Sequence, residues 1–200
     1  MNRATHPTAV VALALAAMLG SGPCSPAADD FKLEQGYTSL FNGKDFTGWK
    51  YPGAKGQPLD GKTMTPDQRM EVKGGIILVH AKDAQNRGGI KDLYTVRSFD
   101  RDFHLKLEFR AAPRADSGVY IRGPQLQVRD YPTVGPYKKV KFKAADWNEL
   151  EITVRGTTAE CKCNGEVIEK AFKVPAQGGI GLQAETGKFE FRRVRIKELP

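Results

Sequence analysis

The sequence predicts an all-β domain, built as an antiparallel two-sheet sandwich of the jelly-roll type. Short stretches of alternating apolar and polar residues recur along the chain. Turn residues separate them at intervals of roughly 8–12 positions, which is typical of sandwiches and jelly rolls. Asn164-Gly165 lies between two such stretches and is a strong hairpin signal, because both central positions of the tight turn require positive φ. No stretch keeps a helical period for more than a turn or two.

The first segment, residues 1–27, is predicted to be an export signal that is not part of the fold. Arg3 gives it a positive start, an apolar run follows from Ala9 to Leu19, and the small residues that precede a cleavage site end at Ala27. The apolar run is too short to cross a bilayer, and no later stretch is apolar enough to do so. We therefore expect a protein exported to the periplasm or the cell exterior, with one domain over residues 28–200.

Up to residue 99, short strands are expected to alternate with turns and loops. Strand character is predicted for residues 36–49, 70–81 and 93–99. Loops are predicted for residues 50–69 and 82–90, which are polar and rich in glycine. Gly74-Gly75 divides the second strand segment into a hairpin, because paired glycines favour a turn. The longer of the two loops is of the kind that borders binding sites.

The stretch from Asp102 to Asp130 predicts three consecutive strands. In each strand, polar residues with varied functional groups alternate with apolar ones. Successive side chains of a strand point to opposite faces, so each set of alternates lines one surface. The apolar set is Phe103, Leu105, Leu107, Phe109, Val119, Ile121, Leu126 and Val128. The polar set is His104, Lys106, Glu108, Arg110, Tyr120, Arg122, Gln125, Gln127 and Arg129. If the three strands share one sheet, the polar set forms one face that can grip a polyhydroxylated ligand; the alternative is an ordinary solvated face.

After Asp130 the chain is predicted to cross the molecule in a loop and then to return to strands. The loop covers residues 131–147, which contain two prolines and two turn signals. The strands are predicted at residues 149–155, 158–163, 166–172, 180–185 and 189–199. In the fourth of these strands Gln183 and Glu185 share a face, opposite Ile180 and Leu182.

The charge of the chain argues against a nucleic-acid partner. The net charge of +8 becomes +7 without residues 1–27, because that segment has one basic and no acidic residue. The basic residues are dispersed among acidic ones, and neither a Lys/Arg block nor a nucleic-acid motif is present. The excess positive charge predicts no more than weak attraction to acidic polymers or surfaces.

The cysteines predict neither a disulfide nor a metal site. Cys161 and Cys163 lie two apart on one strand, which places their Cα atoms near the upper limit for a disulfide. No histidine neighbours them in sequence, so a metal would lack ligands. We expect two small buried thiols. Lipid attachment at Cys24 is the less favoured fate of the leader, since residues 20–23 lack the pattern of a lipobox.

Three motifs, in this order along the chain, resemble those of a known protein family. They are SLFNGKDFTGW at 39–49, DFHLKLEFR and SGVYIRGPQLQV within 102–128, and GGIGLQAETGKFEFRRVRIKEL at 178–199. Together they resemble the bacterial 3-keto-disaccharide hydrolase family, also described as 3-keto-glucoside 1,2-lyase and 3-keto-2-hydroxy-glucal hydratase domains. The resemblance spans about Gly36 to Leu199. It implies a concanavalin A-like jelly roll that binds an oligosaccharide or 3-keto-glycoside in the concave face of one sheet, with no cofactor and no metal.

The chain departs from this family at two places that matter for the chemistry. Members often carry an acidic residue in the strand where this chain has Gln125 and Gln127. They often carry a histidine in the late strand where this chain has Ala184 and Glu185. The identity of the catalytic base therefore stays open.

The implied reaction requires a base, an oxyanion donor and an acid. A ketone at C3 of a sugar acidifies the hydrogen on C2, so a base can remove it and the C1 substituent can leave; hydration then completes a net hydrolysis. Glu108 is the candidate base, because Lys106 and Arg110 flank it on the predicted polar face. Asp130 and Glu185 are the next carboxylates, and a strand-end cap is an equal reading of Asp130.

The remaining candidates bind the substrate. The candidates for polarising the keto oxygen are Arg122, Arg110 and Tyr120. The predicted sugar-binding residues are Arg110, Tyr120, Gln125, Gln127 and Gln183. Trp49 and Trp147 are expected in the core or under loops, whereas Tyr94, Tyr131 and Tyr137 are candidate rim residues. A non-catalytic, lectin-like module is the rival hypothesis, since it needs the same polar face but no tuned base.

Overall fold

A computed structural model gives the fold of most of the chain. The residues described are Met1, 31–51, 55–81, 91–138 and 141–200. The chain divides into two units, Met1–Lys32 and Leu33–Pro200, and the second contains the whole fold described below. The predicted export signal and its cleavage site lie outside the described residues. Among the residues described, no helix has the length and apolar character needed to cross a membrane.

Fourteen strands and one short helix form the described part of the second unit. In chain order they are β1 (Thr38–Ser39), β2 (Phe46–Tyr51), β3 (Gln57–Leu59), β4 (Met70–Lys73), β5 (Ile76–Val79), β6 (Lys91–Thr95), β7 (Phe103–Ala111), β8 (Asp116–Ile121), β9 (Gln125–Arg129), α1 (Tyr131–Val134), β10 (Asn148–Arg155), β11 (Thr158–Cys163), β12 (Glu166–Lys173), β13 (Ile180–Ala184) and β14 (Phe189–Glu198). The predicted all-β class is confirmed.

The strands form two antiparallel sheets. The eight-stranded sheet has the order β12-β11-β10-β7-β14-β5-β4, with β1 pairing to β14. The six-stranded sheet has the order β3-β2-β6-β13-β8-β9. Strands distant in sequence are neighbours in both sheets, such as β7 with β14 and β6 with β13. This topology is that of a sandwich closed by long connections, as the sequence predicts.

One core lies between the two sheets. The apolar alternates of β7, β10 and β14 meet those of β8, β9 and β13 there, and most are completely buried. Phe109 stacks on Phe189 with their ring centroids 5.6 Å apart. Trp49 is fully buried and donates from its Nε1 to the Leu40 carbonyl at 2.7 Å, which confirms its predicted place in the core. Burial of this apolar surface is the main force that holds the sheets together.

The two predicted tight turns are confirmed. Asn164 and Gly165 have φ of 48° and 77°, and they join β11 to β12. Gly74 and Gly75, with φ of 58° and 77°, join β4 to β5. Positive φ at both central positions gives the turn whose twist matches that of the flanking strands.

Two predicted loops contain regular structure. The loop predicted for residues 50–69 includes β3, which pairs with β2 at the edge of the six-stranded sheet. The loop predicted for residues 131–147 begins with the helix α1, in which a proline occupies the first turn. Proline is favoured at a helix start because its missing N–H has no intrahelical partner there. Neither segment is long enough to produce a recognisable period in the sequence.

The three strands between Asp102 and Asp130 do not share a sheet, which contradicts the prediction of a single polar face. β7 lies in the eight-stranded sheet between β10 and β14, whereas β8 and β9 end the six-stranded sheet. The connection at residues 112–115 has the length of a hairpin loop but passes from one sheet to the other. The polar alternates of β7 therefore face away from those of β8 and β9.

The two cysteines of β11 give a direct chemical test of the core. Cys161 and Cys163 are free and buried, and burial raises the pKa of each thiol to about 12. We expect native protein at pH 8 to resist alkylation at both positions, because the thiolate is the reactive form. Both should be alkylated after denaturation without reductant, as measured by mass spectrometry of their peptide. Rapid labelling of the native protein at either thiol would contradict this burial.

Candidate functional site

The outer face of the eight-stranded sheet is a network of ion pairs. Glu108 has a side chain that is 13% exposed, and it accepts from Arg192 Nε at 2.7 Å and from Arg193 Nη1 at 2.6 Å. Arg110 is paired with the buried Glu190. Both oxygens of the predicted base are thus held by cations. For Glu108 and Arg110 the structure favours the alternative reading, an ordinary ion-paired face.

Trp147 lies on this same face and is covered by cations. The guanidinium carbons of Arg110 and Arg192 lie 4.7 Å and 4.0 Å from the centroid of its ring. Nearby, His104 Nδ1 lies 2.7 Å from the Tyr37 hydroxyl. Cation–π contact with two guanidiniums joins Trp147 to the ion-pair network of this face. These contacts favour a role of Trp147 in stabilising the sheet.

Arg122 is not on a polar sheet face, which corrects its predicted role at the keto oxygen. β8 ends at Ile121, and Arg122 itself has φ of 56°. The strand alternation that placed Arg122 on the polar face therefore stops one residue before it. The side chain turns inward and is 4% exposed. It donates to the backbone carbonyls of Gly156 at 2.9 Å and Pro175 at 3.3 Å, and also to that of Arg101. Arg122 ties loops together.

The two reserve carboxylates also have structural contacts. Asp130 is 7% exposed and accepts from the Arg114 backbone N–H at 2.8 Å, directly before α1. These contacts are those of a strand-end cap, the alternative role predicted for Asp130. Glu185 follows the end of β13, and its backbone carbonyl accepts from the buried Arg69 side chain at 2.9 Å. Neither residue is placed by the structure beside Glu108.

The outer face of the six-stranded sheet, in contrast, gathers amides, phenols and carboxylates. The outward residues are Lys50 of β2, Asp92 and Tyr94 of β6, Gly181 and Gln183 of β13, Asp116, Gly118 and Tyr120 of β8, and Gln125, Gln127 and Arg129 of β9. Their strand neighbours Leu93, Val119, Leu126 and Leu182 are buried in the core. Four predicted binding residues, namely Tyr120, Gln125, Gln127 and Gln183, therefore share one face.

A chain of hydrogen bonds crosses this face from β9 through β13 to β8. Gln125 Nε2 donates to Gln183 Oε1 at 2.6 Å, and Gln183 Nε2 donates to the Tyr120 hydroxyl at 2.9 Å. Gln183 is only 3% exposed, so both halves of its amide are committed to this chain. Both donors run in the same direction, and the chain ends at the Tyr120 hydroxyl. Burial raises the pKa of Asp92, and the neighbouring Tyr120 partly opposes this rise.

Asp92 is the carboxylate of this face that is best suited to accept a proton. Burial raises its pKa above the ordinary value for aspartate, and its Oδ1 is buried without a hydrogen-bond partner among the described residues. Burial also raises the pKa of Asp116, but Arg129 opposes this from 2.8 Å away. A desolvated carboxylate without a cation holds a proton more tightly, because its charged form lacks compensation.

Two glycines provide the space in which the polar side chains lie. A Cβ at Gly181 would be 2.9 Å from the Tyr94 ring and 3.0 Å from Tyr120, whose rings are 5.2 Å apart. A Cβ at Gly118 would be 2.2 Å from the Gln125 side chain. Burial raises the pKa of Tyr94 to about 12, so this phenol stays protonated and can donate. The close packing at these glycines therefore holds the donors and acceptors of this face in fixed positions.

A cavity of about 250 Å³ adjoins Tyr94. It is lined by Lys50, Tyr94, Thr95, Ser98, Arg122, Gly123, Gly178 and Gly179. Lys50 is the strand partner of Tyr94, so the cavity continues the polar face toward β2. We call the polar face and this cavity the candidate site. Among the described residues no group of three or more His, Cys, Asp or Glu side chains could hold a metal ion.

Sequence reasoning missed Asp92 and Lys50. The strand predicted for residues 93–99 began two residues too late, since β6 starts at Lys91. Extending the alternation back by one residue would have placed Asp92 on the face of Tyr94, which was predicted as a rim residue. Lys50 had no comparable signal, because it was assigned to a loop and not to a strand.

Three kinds of comparison place the chain among known proteins. The sequence model of the 3-keto-alpha-glucoside-1,2-lyase-like domain matches residues 36–197. No curated protein matches the sequence significantly. Among solved structures, a protein of Parabacteroides distasonis provisionally described as a glycosyl hydrolase is similar over 82% of this chain and 94% of its own, with 21% identity and a TM-score of 0.61.

Two further structures share the fold. A second Parabacteroides distasonis protein, also provisionally described as a glycosyl hydrolase, has 18% identity and a TM-score of 0.60 over 82% of this chain and 99% of its own. A Bacillus licheniformis β-glucanase has 10% identity and a TM-score of 0.52 over 82% of this chain and 97% of its own. At this level of identity the likeness establishes the jelly-roll fold alone.

Proposed function

The chain belongs to the family of 3-keto-alpha-glucoside-1,2-lyase-like domains, and from this premise we propose that it cleaves 3-keto-glycosides at the polar face of the six-stranded sheet. The observation that carries the proposal is Asp92. It is a carboxylate of raised pKa on a face of sugar-binding groups, with no ion pair among the described residues. A general base is most effective when its pKa lies near the working pH, and burial moves an aspartate in that direction.

The proposed reaction is an elimination followed by hydration. Asp92 takes the proton from C2 of the 3-keto sugar, the electrons of the C2–H bond form a C1–C2 double bond, and the C1–O bond to the aglycone breaks. The departing oxygen takes a proton from the Tyr94 hydroxyl, which has no hydrogen bond among the described contacts and stays protonated at neutral pH. Water then adds across the double bond: its oxygen bonds to C1, one of its protons returns to the Tyr94 oxygen, and the proton held by Asp92 moves to C2. The 3-keto sugar is released with both side chains restored.

The other residues of the face orient the substrate and the base. Gln183 holds the Tyr120 hydroxyl, and Tyr120 lies near enough to Asp92 to act on its pKa. In this proposal the fixed phenol helps to position the base before the substrate binds. The amides of Gln125 and Gln127 lie on β9, which β13 and β8 separate from the base, and provide donors for hydroxyl and keto oxygens. Such groups act best when they are fixed before the substrate binds.

Incubation with a 3-keto-disaccharide tests the proposed function. An enzyme releases free 3-keto-glucose, detected by chromatography, and the intermediate glucal appears transiently if elimination precedes hydration. A lectin-like module binds the same sugar and leaves it intact. The hydrogen-bonded amides Gln125 and Gln183 are equally compatible with a lectin, so product release is the decisive measurement. Binding without product over many protein equivalents would establish the lectin alternative.

The pH dependence of the reaction follows from the direction of the Asp92 pKa. The base must be deprotonated, so kcat/KM should fall as the pH drops through its raised pKa. Since burial moves that pKa upward, the loss should begin at higher pH than for an exposed aspartate. A pH–rate profile with a substrate that does not titrate measures this. Full activity down to the ordinary aspartate pKa, about 3.9, would exclude Asp92 as the base.

A further inference from the structure

We propose that the cavity beside Tyr94 is the aglycone subsite and that Lys50 makes it selective for leaving groups with an anionic substituent, such as a carboxylate. This inference rests on the proposed function and specifies its substrate class. It comes from three features of the cavity: its position relative to Asp92, its charge, and its size.

The position of the cavity is one sugar ring away from the base. Asp92 and Tyr94 are successive outward residues of β6, so they lie roughly 7 Å apart along the strand. This step is comparable to the width of one pyranose ring. If C2 of the keto sugar lies over Asp92, its C1 substituent can extend past Tyr94 toward Lys50, the strand partner of Tyr94. The part of the substrate that enters the cavity is then the leaving group.

The charge of the cavity is positive. Lys50 contributes an ammonium group that forms no ion pair among the described residues, and none of the described residues that line the cavity is acidic. Arg122 also lines the cavity, and its guanidinium donates to backbone carbonyls. Asp102 and Asp100 act on Arg122 from outside the lining, and Asp102 accepts from the Gly156 N–H at 2.7 Å. An anion beside Lys50 therefore meets a cation without a competing carboxylate in the lining.

The size and lining of the cavity suit a single small ring. Its volume of about 250 Å³ lies just below the lower end of ordinary ligand pockets, roughly 300 Å³. Ser98, Gly178 and Gly179 line it with a small hydroxyl side chain and backbone, which leaves room for one ring. Lysine binds an anion as a point charge, so it accepts either a carboxylate or a tetrahedral oxyanion. The experiment separates these two.

Matched synthetic glucosides test the inference. The probes are 3-keto-glucosides of phenols that carry, at the para position, a carboxylate, a sulfonate or a neutral carboxamide. The quantity measured is the ratio of kcat/KM for an anionic probe to that for the carboxamide, in the wild type and in Lys50→Met. Comparing the two proteins cancels differences between the phenols as leaving groups. We expect Lys50→Met to lower the carboxylate ratio roughly tenfold, as loss of one charge-assisted contact does.

Two further variants act as controls. Lys50→Arg keeps the charge and should retain most of the preference. Lys170→Met removes an exposed lysine from β12 in the other sheet and should leave the ratio unchanged. A ratio that is equal in the wild type and Lys50→Met would overturn the inference while leaving the proposed function intact. A fall for sulfonate alone would change the preferred anion from a planar to a tetrahedral one.

Binding measurements keep the inference testable if no probe is cleaved. Titration calorimetry with the unoxidised glucosides of the same phenols gives the carboxylate-to-carboxamide ratio of Kd without turnover. A preference that Lys50→Met abolishes would support the anionic subsite, even though absent turnover would contradict the proposed enzyme. Equal affinities in the wild type would overturn the anionic subsite.

Discussion

Asp92→Asn is expected to reduce kcat on a 3-keto-glucoside by about 10²–10⁴-fold, the usual cost of losing a general base. Asparagine keeps the shape of the side chain, but it cannot take the C2 proton. Substrate binding depends mainly on the rest of the face, so KM should change far less than kcat. Steady-state kinetics with a purified 3-keto-disaccharide measures both constants. An Asp92→Asn variant with wild-type kcat would remove Asp92 from the mechanism.

Glu108→Gln is the matched control for this variant. Both changes replace one carboxylate by its amide, but Glu108 lies on β7 in the other sheet, where Arg192 and Arg193 hold it. We expect Glu108→Gln to lower the free energy of unfolding, because its amide cannot pair with two guanidiniums. We expect its kcat to stay near that of the wild type. A large loss of kcat in folded Glu108→Gln would restore the base predicted from the sequence.

Stability separates a lost base from a damaged fold. An aspartate whose pKa is higher in the folded than in the unfolded protein binds its proton more tightly when folded, so its contribution to stability declines as the pH rises through the raised pKa. Asparagine removes this decline. Asp92→Asn should therefore be at least as stable as the wild type at pH 7, and the difference should disappear in acid. Thermal melts at both pH values distinguish this from unfolding.

The division between core and surface was largely predictable from the sequence. Alternation identified the buried members of β7, β8 and β9, and the turn dipeptides located two hairpins. These features are local, since each depends on the strand period or on the φ preference of one or two residues. The family motifs likewise extend over most of the described fold.

The partition of strands between sheets was not predictable in this way. The loop at residues 112–115 suits either a hairpin or a crossing between sheets, and alternation gives the same pattern in both cases. The outcome depends on long-range pairing of β7 with β10 and β14. The prediction that β7 shares a sheet with β8 and β9 wrongly placed Glu108 and Arg110 on the face of Tyr120, Gln125 and Gln127. An active site predicted from the sequence is therefore correct only if its strands are assigned to the right sheets.

Arg122→Met is expected to destabilise the protein by about 3 kcal/mol, because the buried guanidinium satisfies three backbone carbonyls that would lose their donor. Methionine keeps much of the apolar stem, so the loss reports mainly on these hydrogen bonds. Urea denaturation gives the free energy of unfolding. Arg101→Met is the control, since that side chain is 76% exposed and its backbone carbonyl is unchanged. An unfolding free energy equal to that of the wild type, combined with a reduced kcat, would instead support the role at the keto oxygen that alternation predicted for Arg122.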